Sequence, residues 1–242
     1  MKQKIIFSLL TGVAVFAVPC VSYADLGAIQ PGFFVGLAAD GVIPNYGFKT
    51  TTSSDIVIKK TSNSMLLRPD IYGGYGELVA SNNLYIGFDV GLQLGAKKTV
   101  EMGYYNSTPP SSSPVAVTSG SEGTVYYADV MPGFVFGNQS NVFYGIVGAA
   151  HGSFDLSQTG NAPFAQSEGH FGYRIGVGDT FALTDSFGVG IKYVFTNFGD
   201  VGFTNGTFQY QLSPKNNELS LGISYTFGGS SNADARGPFV GD

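Results

Sequence analysis

His151-Gly152-Ser153, with Glu168 and His170 downstream, is the stretch of this chain whose residue types could perform covalent chemistry. A hydrolase needs a hydroxyl nucleophile, an imidazole base and an orienting acid within mutual reach. A second constellation is electrostatic. Asp40, Arg68, Asp70, Asp89, Asp129, Arg174, Lys192 and Glu218 are ionisable residues set inside otherwise apolar, alternating segments. Charges placed in that way serve as an ion path, a catalytic cluster or a polar filling, depending on the elements that carry them. Metal chemistry is not indicated, because two histidines and scattered carboxylates give no ligand spacing. No cofactor-binding motif is indicated either.

The elements that must position these residues are strands. From Leu219 to Phe227 every odd residue is apolar (Leu219, Leu221, Ile223, Tyr225, Phe227), and every even one is polar or tiny. Side chains alternate across a strand with a period of two, so one face of this segment suits oil and the other water. A closed barrel in a membrane satisfies both. Ser220, Gly222, Tyr225 and Phe227 also resemble the terminal signal by which bacterial outer-membrane barrels reach their assembly machinery.

The N-terminus agrees. Lys2 and Lys4 precede an apolar stretch from Ile5 to Val18, and Ser22-Tyr23-Ala24 offers the small residues that signal peptidase requires. Residues 1–24 are expected to be a cleaved secretory signal, 25–227 a barrel and 228–242 a flexible periplasmic tail. Cleavage removes Cys20, the only cysteine, and leaves neither disulfide nor thiolate chemistry. After cleavage ten basic residues face seventeen acidic ones, a net charge of −7, which argues against nucleic acid. Charged residues are only 12% of the chain, against roughly 25% in soluble proteins.

About eight candidate strands, each near the roughly 9–11 residues that cross an outer membrane at a tilt, span 33–40, 65–78, 84–97, 124–136, 142–155, 170–183, 187–198 and 217–227. Short connections at 80–83, 137–141 and 184–186 alternate with long polar ones at 41–64, 102–123, 156–169 and 199–215. The expected fold is an all-β, closed, up-and-down antiparallel transmembrane barrel with short periplasmic turns, four long extracellular loops and both termini in the periplasm.

In the third candidate strand Leu84, Ile86, Phe88, Val90, Leu92 and Leu94 share the lipid face, while Tyr85, Gly87, Asp89, Gly91, Gln93 and Gly95 face inward. A one-residue slip would send Asp89 and Gln93 into lipid. Ala, Gly and Pro69 blur the alternation of the first, second and fifth strands. The same parity collects all eight ionisable residues above in the lumen, and it points His151 and Ser153 there too. A barrel of about eight strands has an interior just wide enough for side chains to fill. Arg68, Arg174 and Lys192 are therefore expected to pair with some of the five carboxylates as a plug. Aromatics are expected in two girdles: Tyr75, Phe134, Phe136, Tyr144, Phe181, Phe187, Tyr225 and Phe227 toward the turns, and Tyr126, Phe154, Phe171, Phe195 and Phe198 toward the loops.

Gly176-Val177-Gly178-Asp179-Thr180-Phe181, continuing through Thr184-Asp185-Ser186-Phe187 to Gly190-Ile191-Lys192-Tyr193 and then Thr196-Asn197-Phe198-Gly199, resembles the penultimate hairpin of OmpA-like and opacity-type eight-stranded outer-membrane proteins. The opening Gly32-Phe33-Phe34-Val35-Gly36-Leu37 is similar to their first strand. The resemblance implies the fold and location, and admits roles in adhesion or in resisting host defences. The leading expectation is a non-enzymatic barrel with a structural or surface-interaction role. Its partners would be outer-membrane lipid and lipopolysaccharide, the barrel-assembly machinery, and a host or surface ligand held by the loops. One alternative rests on His151, Ser153 and Glu168, which resemble the His-x-Ser and later Glu of lipid A deacylases, although Phe154-Asp155-Leu156 departs from that family. A narrow low-conductance pore is another. A soluble lipocalin-type carrier would need the reverse pattern, apolar inside and polar outside.

Overall fold

The computed structural model describes residues 27–51, 65–79, 83–95, 100–104, 116–136, 139–160, 163–205 and 208–227. The expected signal segment 1–24 and tail 228–242 lie outside them, as do 52–64 and 105–115 of the long connections. The described chain forms ten strands: β1 Gly32–Thr51, β2 Leu66–Val79, β3 Leu84–Gln93, β4 Val100–Tyr104, β5 Ala116–Phe136, β6 Asn141–Gly160, β7 Phe164–Ala182, β8 Phe187–Asn197, β9 Val201–Asn205 and β10 Phe208–Phe227. Eight pair in the order β1-β2-β3-β5-β6-β7-β8-β10, and β10 returns to β1 to close the ring. The closing ladder is antiparallel and runs from Phe33↔Phe227 to Thr51↔Gln209. Every ring ladder is antiparallel.

Alternation sorts the side chains. In β3, Leu84, Ile86, Phe88 and Val90 are exposed while Tyr85, Asp89 and Gln93 are buried. In β10, Leu219, Leu221, Ile223, Tyr225 and Phe227 are exposed while Glu218 and Ser220 are buried. Exposed apolar residues continue around the ring through Phe33, Ile71, Val130, Val147 and Ile175, an outer belt far larger than a soluble monomer tolerates. Aromatic pairs edge it near the short turns, with Phe33–Tyr75 and Phe187–Tyr225 both at 5.0 Å between ring centroids. Tyr144, Phe154 and Phe198, expected in the girdles, are buried inside instead.

The ladders also run well past the belt. β1 continues to Thr51, β5 begins at Ala116, β6 reaches Gly160, β7 starts at Phe164 and β10 at Phe208. Much of what reads as long polar connection is therefore sheet. Here the ring divides, because β2 leaves β1 at Leu66↔Val42, β3 leaves β5 at Gln93↔Val125, and β8 leaves β7 at Tyr173↔Asn197. What continues is one sheet of β1-β10-β9 and another of β4-β5-β6-β7. Gly199, with φ 72°, turns the chain from β8 into β9, a conformation that glycine adopts without strain. Between the two sheets lies an apolar core. Tyr46, Val201, Phe203, Tyr210 and Leu212 from one side meet Val125, Phe154 and Leu156 from the other. Phe154 stands edge-on to Phe198 at 5.0 Å, and Phe164 packs on Tyr210 at 5.1 Å. That core is why the strands outlast the belt: their inward positions have apolar partners to bury against.

Candidate functional site

The lumen brings the ionisable residues together. Asp40, Arg68, Asp70, Asp89, Asp129, Arg174 and Glu218 are buried, and the Lys192 side chain is 13% exposed. Nearest the short turns, Lys192 Nζ donates to Asp89 Oδ2 at 2.8 Å and lies 4.5 Å from the centroid of the Tyr72 ring. Asp89 sits directly across the β3–β5 ladder from Asp129. Two like charges side by side repel unless each has its own cation. The second cation is Arg174, whose Nε donates to Asp129 Oδ1 and Oδ2 at 3.1 and 3.2 Å while its guanidinium stacks 4.1 Å over Tyr127. Arg174 Nη1 also lies 3.5 Å from Glu218 Oε2, an ion pair without hydrogen-bond alignment.

On the adjoining wall, Gln93 Nε2 donates to Asp40 Oδ2 and Glu218 Oε2, both at 2.8 Å. Tyr127 Oη donates to Asp70 Oδ2 at 2.8 Å, and Thr196 Oγ1 donates to Glu218 Oε1 at 3.2 Å. Beneath the apolar core, Arg68 Nη1 donates to Glu122 Oε1 at 2.9 Å. Glu122 also accepts from Tyr46 Oη at 2.8 Å and from Asn216 Nδ2 at 2.9 and 3.1 Å.

Glu122 is the central residue that parity counting misses. It falls within a stretch read as loop, and the β5–β6 register shifts between Glu122 and Val125. Such a bulge moves every residue beyond it to the other face. Gly123, a residue that often marks a bulge, was the available signal. Tyr46, Tyr127 and Asn216 drew no notice for a different reason: they carry no charge, yet together with Gln93, which the alternation of β3 places inside, they supply most of the neutral donors.

The turn end of the lumen opens into a cavity of about 80 Å³, lined by Tyr72, Tyr85, Tyr144, Thr180, Lys192 and Ser220 among others. The chain entering β1 lies across that mouth. Ile29 N donates to Gln139 O at 2.6 Å, and Ala28 N to Asp185 Oδ1 at 3.2 Å, which ties the segment to two different turns.

The hydrolase constellation is not assembled. In β6 the even residues Ile146, Ala150, Phe154 and Leu156 are buried while Phe143 and Val147 are exposed. His151 and Ser153 therefore point outward, the reverse of the face expected for them. The run from Gly145 to Gly152 is mostly Gly and Ala, side chains too small to reveal which face is which. His151 packs on the exposed Phe171 ring at 4.7 Å, across from Tyr126. A Cβ on Gly169 would meet His151 Nε2 at 2.8 Å, whereas one on Gly123 would meet Ser153 Oγ at 2.3 Å. The two groups thus lean toward opposite neighbouring strands. Glu168 pairs across from Phe154, so it belongs to the other face of the sheet. Nucleophile, base and acid do not converge.

Of the residues expected to signal assembly, Ser220 is buried in the lumen, while Tyr225 and Phe227 are exposed and their rings lie 4.9 Å apart. Gly222 faces inward across from Ala38. Among the described residues no group of three His, Cys, Asp or Glu side chains is placed to hold a metal ion.

A family model described as an outer membrane protein beta-barrel domain matches residues 9–227. No curated protein sequence matches the chain. Among solved structures it is similar to the outer membrane protease OmpT from Escherichia coli, at 9% identity and a TM-score of 0.51, over 85% of this chain and 100% of that one. It is also similar to Ail, the attachment invasion locus protein of Yersinia pestis, in complex with the heparin analogue sucrose octasulfate, at 13% identity and a TM-score of 0.44, over 82% and 100%. Neisserial surface protein A shares 18% identity and a TM-score of 0.40, over 81% and 97%. At such identities the likeness is one of fold alone.

Proposed function

The chain belongs to the outer membrane protein β-barrel family, and on that premise we propose that it is a non-enzymatic surface protein whose working part is the sheet standing above the lipid belt. The observation that carries this reading is the filling of the lumen. Layered ion pairs occupy the belt level and an apolar core closes the long-connection end. Solute passage would require both to open, and among the described residues no convergent catalytic group faces the lipid. The remaining surface is the raised pair of sheets and the connections that leave them.

In this reading residues 1–24 are the cleaved signal and residues 228–242 trail in the periplasm. The short turns are periplasmic and the raised sheets extracellular. Outer-membrane lipid and lipopolysaccharide surround the belt. The barrel-assembly machinery reads Ser220, Gly222, Tyr225 and Phe227, and a host or bacterial surface ligand is taken by the outer connections. The stretch Asn106-Ser107-Thr108-Pro109-Pro110-Ser111-Ser112-Ser113-Pro114 is uncharged and low in complexity, a composition suited to an exposed recognition segment.

The test compares bacteria displaying the whole protein with bacteria displaying one in which residues 105–115 are replaced by a Gly/Ser linker of equal length. Binding to cultured host cells and the conductance of each purified protein in planar bilayers are both measured. Loss of binding with equally closed barrels supports the proposal. A steady open-pore conductance in the intact protein, or binding indifferent to the replacement and to the protein itself, overturns it.

A further inference from the structure

The charges in the lumen do not balance. Among the described residues six buried carboxylates, on Asp40, Asp70, Asp89, Glu122, Asp129 and Glu218, share the interior with the three cations Arg68, Arg174 and Lys192. The cations are already committed, Arg68 to Glu122, Lys192 to Asp89, and Arg174 to Asp129 and Glu218. Asp40 and Asp70 are left with neutral donors only. Tyr127 serves Asp70, while Gln93 and Ser220 serve Asp40.

These two carboxylates are also neighbours. Asp70 pairs across from Ala38 in the β1–β2 ladder, so Asp40 is its diagonal partner on the inner face. Gln93 stands directly across from Asp70 on the next strand. The Gln93 amide nitrogen is fastened between Asp40 and Glu218, which holds its carbonyl oxygen within the same cluster. Asp40 Oδ1, Asp70 Oδ1 and Gln93 Oε1 all lack a hydrogen-bond partner, on side chains that are at least 95% buried. Burying a single bare acceptor is costly, and burying three of them beside two uncompensated charges far more so. What such a site lacks is positive charge with an affinity for oxygen.

We propose that the barrel binds a hard, oxygen-seeking cation of the alkali or alkaline-earth class in its lumen, held by Asp40, Asp70 and Gln93. Two carboxylates and an amide carbonyl are the donors that Ca²⁺ and its class prefer. The cavity at the turn end is not lined by these three side chains, but it reaches Ser220, which lies directly across from Asp40 in the β1–β10 ladder. The site uses residues that the surface reading leaves idle, so it stands or falls separately from any outer ligand.

The experiment takes the whole barrel, stripped with chelator and folded in detergent with N-methylglucamine as the only cation. Thermal unfolding is followed after adding NaCl, MgCl2, CaCl2 or more N-methylglucamine chloride at equal ionic strength. One inorganic cation should raise Tm by roughly 5 °C at a hundredfold excess over its Kd, and the four arms identify which. Asp70→Asn, which keeps the Tyr127 contact but removes one uncompensated charge, should fold and lose that shift, as should Asp40→Asn. Equal Tm in all four salts overturns the proposal, as does a shift that survives in both variants. Indifference to cations with stabilisation on acidification overturns it as well, since protons would then balance the charge.

Discussion

Arg68 stands directly across the β1–β2 ladder from Asp40, yet its guanidinium reaches over the lumen to Glu122, with Nη1 2.9 Å from Oε1 and both side chains fully buried. Cross-strand proximity would favour Asp40. Glu122 prevails because it lies beneath the apolar core, where Tyr46 and Asn216 donate to the same carboxylate and help it bear its charge. The pair therefore joins two walls of the barrel that share no ladder.

Removing one partner leaves the other charged, buried and unanswered. Glu122→Ala should cost about 3–5 kcal/mol in urea unfolding from detergent or lipid, and Arg68→Met a similar amount. The double variant Arg68→Met with Glu122→Leu should recover most of the loss. Equal additivity of the two single costs would show that the pair is not coupled.

The outer face of β3 makes the opposite demand. Val90 is exposed to the belt between buried Asp89 and inward Gly91, so Val90→Lys places a charge in hydrocarbon at a cost of roughly 2–4 kcal/mol near the midplane. Gly202 in β9 gives the control. A Cβ there meets nothing within 4 Å, so Gly202→Lys should be tolerated. Outer-membrane yield and the gel shift on boiling would separate the two, and equal tolerance would contradict the assigned faces.

β3 was legible in sequence because two media penalise error. Asp89 and Gln93 cannot face lipid, and Phe88 and Val90 gain by doing so, so one register survives. The eight-strand ring and the lumenal charges follow from the same logic. β6 gave no such choice between Gly145 and Gly152, and Ile146 and Val147, adjacent and both bulky, take opposite faces. The strand extensions were hidden differently. Their outward residues Ser119, Ser121 and Gln211 read as loop, while the inward Leu156, Tyr210 and Leu212 acquire meaning only when two distant segments meet. Glu122 was lost to a bulge, a local event that composition does not record.

The corrected face of β6 has its own test. Ser153→Cys carrying a nitroxide label should be mobile on the outer face of β6, while a label at Gly152, whose position faces the Phe154 and Phe198 rings, should be immobilised. With Glu168 on the opposite face, Ser153→Ala should leave the lipid A mass spectrum of expressing cells unchanged. A lipid A species that appears with the protein and disappears with Ser153→Ala would revive the hydrolase.

Gly148 lies directly across from Asp129, and a Cβ there would come within 2.0 Å of Asp129 Oδ1 and 2.3 Å of Ala128 O. The carbonyl belongs to the ladder and cannot swing aside. Gly148→Ala should therefore force the strands apart and break the Arg174–Asp129 pair, at a cost of about 1–3 kcal/mol from overpacking with the lost ion pair in addition. Gly145→Ala, whose Cβ nears only Pro132 O at 3.9 Å, should be close to neutral in the same unfolding assay.

The two-sheet core above the belt predicts that the molecule can lose its top without losing its barrel. Phe154 is fully buried and reaches from β6 to Phe198, so Phe154→Ala opens a large void in that core, worth about 3–5 kcal/mol locally. The ring ladders of the belt level do not depend on it. Their closure runs through contacts such as Phe33↔Phe227 and Tyr225↔Phe187, at the far end of the strands. Protease added to intact cells should then cut the variant within 156–169 or 199–215 faster than the parent protein, while the protected fragment still shifts on boiling. If the gel shift vanishes together with protease resistance, top and belt form one cooperative unit, and the apolar core would be part of what holds the barrel closed rather than a cap upon it.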